Sequence, residues 1–161
     1  MATSFDEINQ IFYNLIEEDS GFFNYYGLEV AEAEQLAEQR ADAYLREAAV
    51  KLSLKIQADI SFSSFDKTLR IFTEDFTEEE KYLLASLQYE QYLLRDIAKL
   101  RAYATRFTSA EQSVFSHANE RRTFIEMYER LVQHNEELID RYSARDRLTG
   151  APKTLDYTSD E

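Results

Sequence analysis

Only two side chains in this chain of 161 residues, His117 and His134, titrate near neutral pH without help, so acid–base or metal chemistry would begin with them. Neither stands in a ligand pattern. A helical di-iron site needs Glu three residues ahead of His, and Val114 and Leu131 hold those places. There is no His-Glu-x-x-His and no EF-hand loop. Without cysteine there is no thiolate zinc site, thiol nucleophile or disulfide framework. The acid pairs Glu17-Glu18 and Glu136-Glu137 are adjacent in sequence, so their carboxylates leave a helix on different sides. No serine has a Gly-x-Ser-x-Gly setting. Arg95, Lys99, Arg101 and Arg106, with Arg121 and Arg122 further on, come nearest to a basic face, but Glu111, Glu120 and Glu126 dilute them. These arginines read better as partners for the acidic first half. The inventory points away from catalysis, and no cofactor or metal is expected.

The elements that must position these residues are helices. From Leu28 to Thr149 there is neither glycine nor proline, the two strongest interrupters of a helix. Their absence removes the conformational freedom that phosphate loops require. A first helix is expected from Phe5 to about Glu17, opened by a Ser4–Glu7 capping box and carrying Ile8, Ile11, Phe12, Leu15 and Ile16 on one stripe. A second spans about Glu29 to Lys55, where Ala33, Ala37, Ala41 and Ala48 line up for close helix packing. Thr77 and Glu80 form another capping box for a third helix reaching about Thr105, and a fourth runs from near Ser116 to about Ala144. The seam of that last helix is interrupted by His134 and Asn135. Residues 57–76 are the least helical stretch and read as a long central loop. A short hairpin around Asp66-Lys67 would have to turn without glycine.

The fold class expected is therefore mainly α: an antiparallel bundle of about four helices over 1–145, followed by an extended tail over 146–161. No run of apolar residues is long enough to span a membrane, and the first residues lack a signal-peptide pattern, so a cytoplasmic protein is expected. Nine carboxylates precede the first basic residue, Arg40, and supply most of the net charge of −13. Such a surface repels phosphate. Eleven Phe and eleven Tyr with no Trp are more rings than a small helical core requires. They either fill a loose core or serve contacts between proteins.

Two blocks carry a resemblance. Phe76-Thr77-Glu78-Glu79-Glu80-Lys81-Tyr82-Leu83-Leu84-Ala85 leads to Tyr92-Leu93. Phe115-Ser116-His117-Ala118-Asn119 opens the last helix, which Tyr142-Ser143 closes. Over about residues 70–145 the chain resembles the small acidic helical head–tail connector, or neck adaptor, proteins of tailed phages and prophages of Gram-positive bacteria. Where those proteins tend to have Trp-Leu, this chain has Tyr92-Leu93. The first fifty-five residues match only in being acidic and helical.

The resemblance implies a structural virion protein, made in the bacterial cytoplasm, forming a dodecameric ring between the portal protein and the tail-side neck or stopper protein. DNA would pass through without specific binding. On that expectation Glu17, Glu18, Asp19, Glu29 and Glu32 contribute a DNA-repelling surface. Phe22, Phe23, Tyr25 and Tyr26 contact neighbouring subunits, and Leu148, Leu155 and Tyr157 dock onto portal or neck. The 57–76 loop and the tail would order on meeting their partners. The rival reading is an acidic helical inhibitor that imitates the charge of DNA.

Overall fold

The computed structural model describes residues 2–16, 22, 27–106 and 117–153, the side chains of 99–106 and 117–121 lying outside that description. Four helices appear among the described residues: α1 (Phe5–Leu15), α2 (Val30–Lys55), α3 (Glu78–Arg106) and α4 (His117–Ser143). They pack on one another, with a two-stranded antiparallel hairpin, β1 (Phe65–Asp66) and β2 (Ile71–Phe72), between α2 and α3. The chain is mainly α, as its composition predicts.

Both capping boxes form. Ser4 accepts from the Asp6 N–H while the Ser4 N–H donates to Glu7. The Thr77 N–H donates to Glu80 Oε2 at 2.7 Å, and the Glu80 N–H returns to Thr77 Oγ1 at 3.3 Å. The alanine stripe of α2 is buried, and its close approach to α3 shows in the backbone: Gln88 Nε2 donates to the Ala41 carbonyl at 3.0 Å.

The hairpin turns without glycine by two substitutes. The Asp66 carboxylate accepts the Thr68 and Leu69 N–H groups at 2.7 and 3.0 Å, closing the turn from the side chain. Arg70 then takes a left-handed conformation with φ of 55°, unusual for a residue with a Cβ. The N-terminus is stitched to this hairpin. Thr3 donates to the Glu74 carbonyl and accepts from Phe72, the Phe5 N–H donates to Arg70, and Thr3 Oγ1 accepts the Phe76 N–H at 2.7 Å.

That stitching fixes the direction of α1. Both α1 and α3 start from the same place, and contacts then run in step along them: Glu7 to Lys81, Asn9 to Gln88, Phe12 to Tyr92. The antiparallel arrangement holds between α3 and α4, where Glu80 meets Tyr142 and Ser86 meets Asn135, whereas α1 lies parallel to α3. Asp6, Glu7 and Glu78 to Glu80 crowd the two adjacent N-termini, where carboxylates offset the helix dipoles. Lys81 bridges Glu7 and Glu78.

The core is aromatic to an unusual degree. Phe12, Phe22 and Tyr92 meet edge to face with centroids 5.5 to 6.1 Å apart, while Phe5, Phe65, Phe72, Phe76 and Phe62 form a second chain of rings beneath the hairpin. Much of the ring surplus is thus spent inside this chain.

Candidate functional site

The polar residues the fold brings together form three internal networks spaced along α3. In the first, the Arg70 guanidinium grips Asp42 with two hydrogen bonds, Nε to Oδ2 at 2.7 Å and Nη2 to Oδ1 at 3.0 Å. It also reaches Glu38 at 2.6 Å and Asp6 at 2.8 Å. Asn9 donates to Asp42 at 2.7 Å and accepts from Gln88 at 2.9 Å, carrying the network into the core. The hydrogen bonds to Asp42 hold the Arg70 pKa above its ordinary value despite burial. Tyr13 is pushed up to about 12, first by burial and then by the charges of Asp42 and Glu38.

The second network lies between α3 and α4. Asn135, fully buried, accepts from Ser86 Oγ at 2.6 Å and donates to Glu90 Oε2 at 3.0 Å and the Ser86 carbonyl at 3.3 Å. Lys51 of α2 supplies the charge that balances Glu90. The third centres on Glu80, whose side chain is wholly buried. Its Oε1 accepts from the Tyr142 hydroxyl and from Arg147 Nε, both at 2.6 Å; its Oε2 accepts from the Thr77 N–H and from Arg147 Nη2 at 3.1 Å. Burial would raise the Glu80 pKa, but hydrogen bonds from Arg147, Tyr142 and Thr77 outweigh it and leave it lowered. Burial, and then the bond to Glu80, pushes the Tyr142 pKa up.

The carboxylates of these networks are each hydrogen-bonded and faced by an arginine or a lysine, while Gln88 Oε1, buried beside the first network, has no partner among the described residues. Each carboxylate is neutralised and hydrogen-bonded in the way that makes a buried charge tolerable. Among the described residues no group of three or more His or acidic side chains could hold a metal, and no helix is long and apolar enough to cross a membrane. His134 is exposed on α4, and the His117 side chain lies outside the description.

Glu29 stands at the N-cap position of α2 without a side-chain capping bond and Glu32 sits in the first turn, both exposed. Leu148 is 80% exposed on a turn in which Asp146 accepts the Leu148 and Thr149 N–H groups and Gly150 takes a left-handed φ. Phe22 corrects an expectation: it is 1% exposed, packed against Phe12 and Tyr92 with Arg40 over its ring, so it belongs to its own core and not to a neighbour's contact. Glu17, Glu18, Asp19, Phe23, Tyr25, Tyr26, Leu155 and Tyr157 lie outside the described residues.

The tail expected from 146 onward is also revised over its described part. Residues 146–153 fold back on the bundle: Arg147 binds Glu80 and the Asp75 carbonyl, Arg145 and Pro152 form a bridge, and the Lys153 N–H donates to Ala144 at 2.9 Å. The Asp42 carboxylate is engaged by Arg70, while Arg46, one turn along α2, bonds the Asp42 carbonyl. Arg70 and Arg147 are the anchors that sequence reasoning missed. The signal available was the set of polar residues on apolar faces, Asn9, Gln88 and Asn135, which demand partners when buried. Comparison with protein-family models, with curated proteins and with solved structures yields no match to this chain.

Proposed function

We propose that this chain is a structural adaptor, a head–tail connector of a phage neck that forms a ring between the portal protein and the tail-side neck or stopper protein, with no catalytic activity. The observation that carries the reading is Leu148. A leucine held 80% exposed on a turn whose flanking Arg147 is clamped into a buried carboxylate is a rigidly presented apolar contact. The resemblance over residues 70–145 supplies the kind of partner. Glu29 and Glu32, exposed at one end of α2, are suited to face passing DNA without holding it. On this reading the protein works in the virion neck after assembly in the bacterial cytoplasm.

Sedimentation of the purified protein with a portal ring tests it. The expected outcome is a stoichiometric complex that Leu148→Asp weakens by tenfold or more, about 1.4 kcal/mol, with helicity unchanged. A chain that stays monomeric beside the portal and instead binds a nuclease tightly would establish the rival, a DNA-mimicking inhibitor.

A further inference from the structure

Residues 74–77 join β2 to α3, and two distant parts of the chain hold them by turns. Thr3 takes the first and third: its N–H donates to the Glu74 carbonyl at 3.0 Å and its Oγ1 accepts the Phe76 N–H at 2.7 Å. Arg147 takes the second and fourth. It donates to the Asp75 carbonyl directly and reaches Thr77 through Glu80, whose Oε2 accepts Arg147 Nη2 at 3.1 Å and the Thr77 N–H at 2.7 Å. One holder stands near the start of the described residues and the other near their end.

Rings connect the same two parts a second time. Phe72, Phe76, Phe62 and Tyr142 follow one another with centroids 4.9, 5.2 and 6.0 Å apart, and Tyr142 donates to Glu80. The Phe72 N–H donates to the Thr3 carbonyl at 2.8 Å, which closes the circuit on residue 3. Thr3, Phe62, Phe72, Phe76 and Glu80 are all buried, so a bond lost among them finds no ready replacement in water.

Bonds in series loosen together, because each holder keeps the joint where its counterpart needs it. Without Arg147 the Asp75 carbonyl is released, and Glu80, a buried carboxylate without that counter-charge, relaxes toward water and away from Thr77. Thr3 is then bonded to a segment that no longer keeps its place. We propose that residues 74–77 are a coupling joint between the two ends of this fold. The seam of residues 3–5 on the hairpin stabilises the turn of residues 144–153, and the turn stabilises the seam in return. The element so controlled is Leu148, 80% exposed on that turn. A contact that orders the turn tightens the seam, and a loosened seam releases Leu148 from its fixed position. The coupling is a property of the chain itself and is independent of the neck reading.

Amide hydrogen exchange in the full chain, followed by NMR, reads both ends. The Phe5 and Phe72 N–H groups, bonded to the Arg70 and Thr3 carbonyls, report the seam. The Asp146 and Lys153 N–H groups, bonded to the Ala151 and Ala144 carbonyls, report the turn. Arg147→Met should speed exchange at Phe5 and Phe72 by about tenfold or more, as expected when a buried hydrogen-bonding group is left unpaired. Thr3→Val keeps the side-chain shape and removes only the hydroxyl; it should speed Asp146 and Lys153 by a similar factor, and Thr3→Ser should leave them at the parent rate. Asn135→Ala separates coupling from a general loss of stability, since it acts in the α3–α4 contact and touches neither holder. It should leave all four amides near their parent rates. Unchanged seam amides in Arg147→Met, or unchanged turn amides in Thr3→Val, would overturn the proposal. So would equal acceleration of all four by Asn135→Ala, which would assign the effect to the stability of the whole bundle.

Discussion

Replacing Arg147 by methionine keeps most of the side-chain stem and removes only the guanidinium. What it leaves is Glu80, a carboxylate with no solvent exposure, still accepting from Tyr142 and from the Thr77 N–H but stripped of its two bonds from Arg147 and of that counter-charge. Breaking a buried pair from one side costs about 3–5 kcal/mol. Because two donors remain and Arg147 is 20% exposed, the lower end, about 3 kcal/mol, is expected. In a domain of this size that lowers Tm by about 6–12 °C. The reverse change, Glu80→Gln, should cost less, about 1–2 kcal/mol, since Arg147 can turn to water and a neutral amide keeps part of the bonding. The double variant should be more stable than the sum of the singles by about 1–2 kcal/mol. Urea denaturation followed by circular dichroism measures all four proteins. An Arg147→Met variant within about 0.5 kcal/mol of the parent, the scatter of ordinary surface changes, would refute the claim that this pair pins the C-terminal segment.

Other consequences follow from the same networks. Asn135→Ala strands Ser86 and weakens the hold on Glu90 inside the α3–α4 contact, and a loss of about 2–4 kcal/mol in urea denaturation is expected. At position 70 glycine should be tolerated better than alanine by about 1 kcal/mol, although both lose the ion pairs, because only glycine accepts a φ of 55° without strain; paired melting curves check the order. Glu80 is held below its ordinary value of 4.5, so the stability it contributes is fully present above that pH and is lost as the pH falls through its lowered folded value. Stability measured from pH 6 to 3 should therefore decline, with a shallower decline in Glu80→Gln.

The helices were legible because their signals are local. Ser4 with Glu7 and Thr77 with Glu80 are complete within four residues, and the absence of glycine and proline leaves little else for Ala-, Leu- and Glu-rich segments to form. What escaped the sequence is long-range. Nothing near Arg70 announces that it will collect Asp6, Glu38 and Asp42, and nothing near Arg147 announces Glu80, 67 residues away. Phe22 sits in a crowded aromatic loop, and whether such a ring turns inward depends on the room left between Phe12 and Tyr92, which periodicity does not encode. The parallel run of α1 and α3 likewise depends on Thr3 pairing with the hairpin, a contact without a motif.

Threading the first residues onto the hairpin has a cost in time. Thr3 finds its hydroxyl's partner 73 positions downstream, and Gln88, which bonds Asn9, comes later still. At the pace of synthesis, about 5–20 residues per second, the opening residues emerge from the ribosome roughly 4–15 s before those partners emerge. Through that interval Ile8 and Phe12, both destined for complete burial, face water or a chaperone. Newborn copies are therefore most prone to clump before Gln88 and Tyr92 have followed the opening helix out.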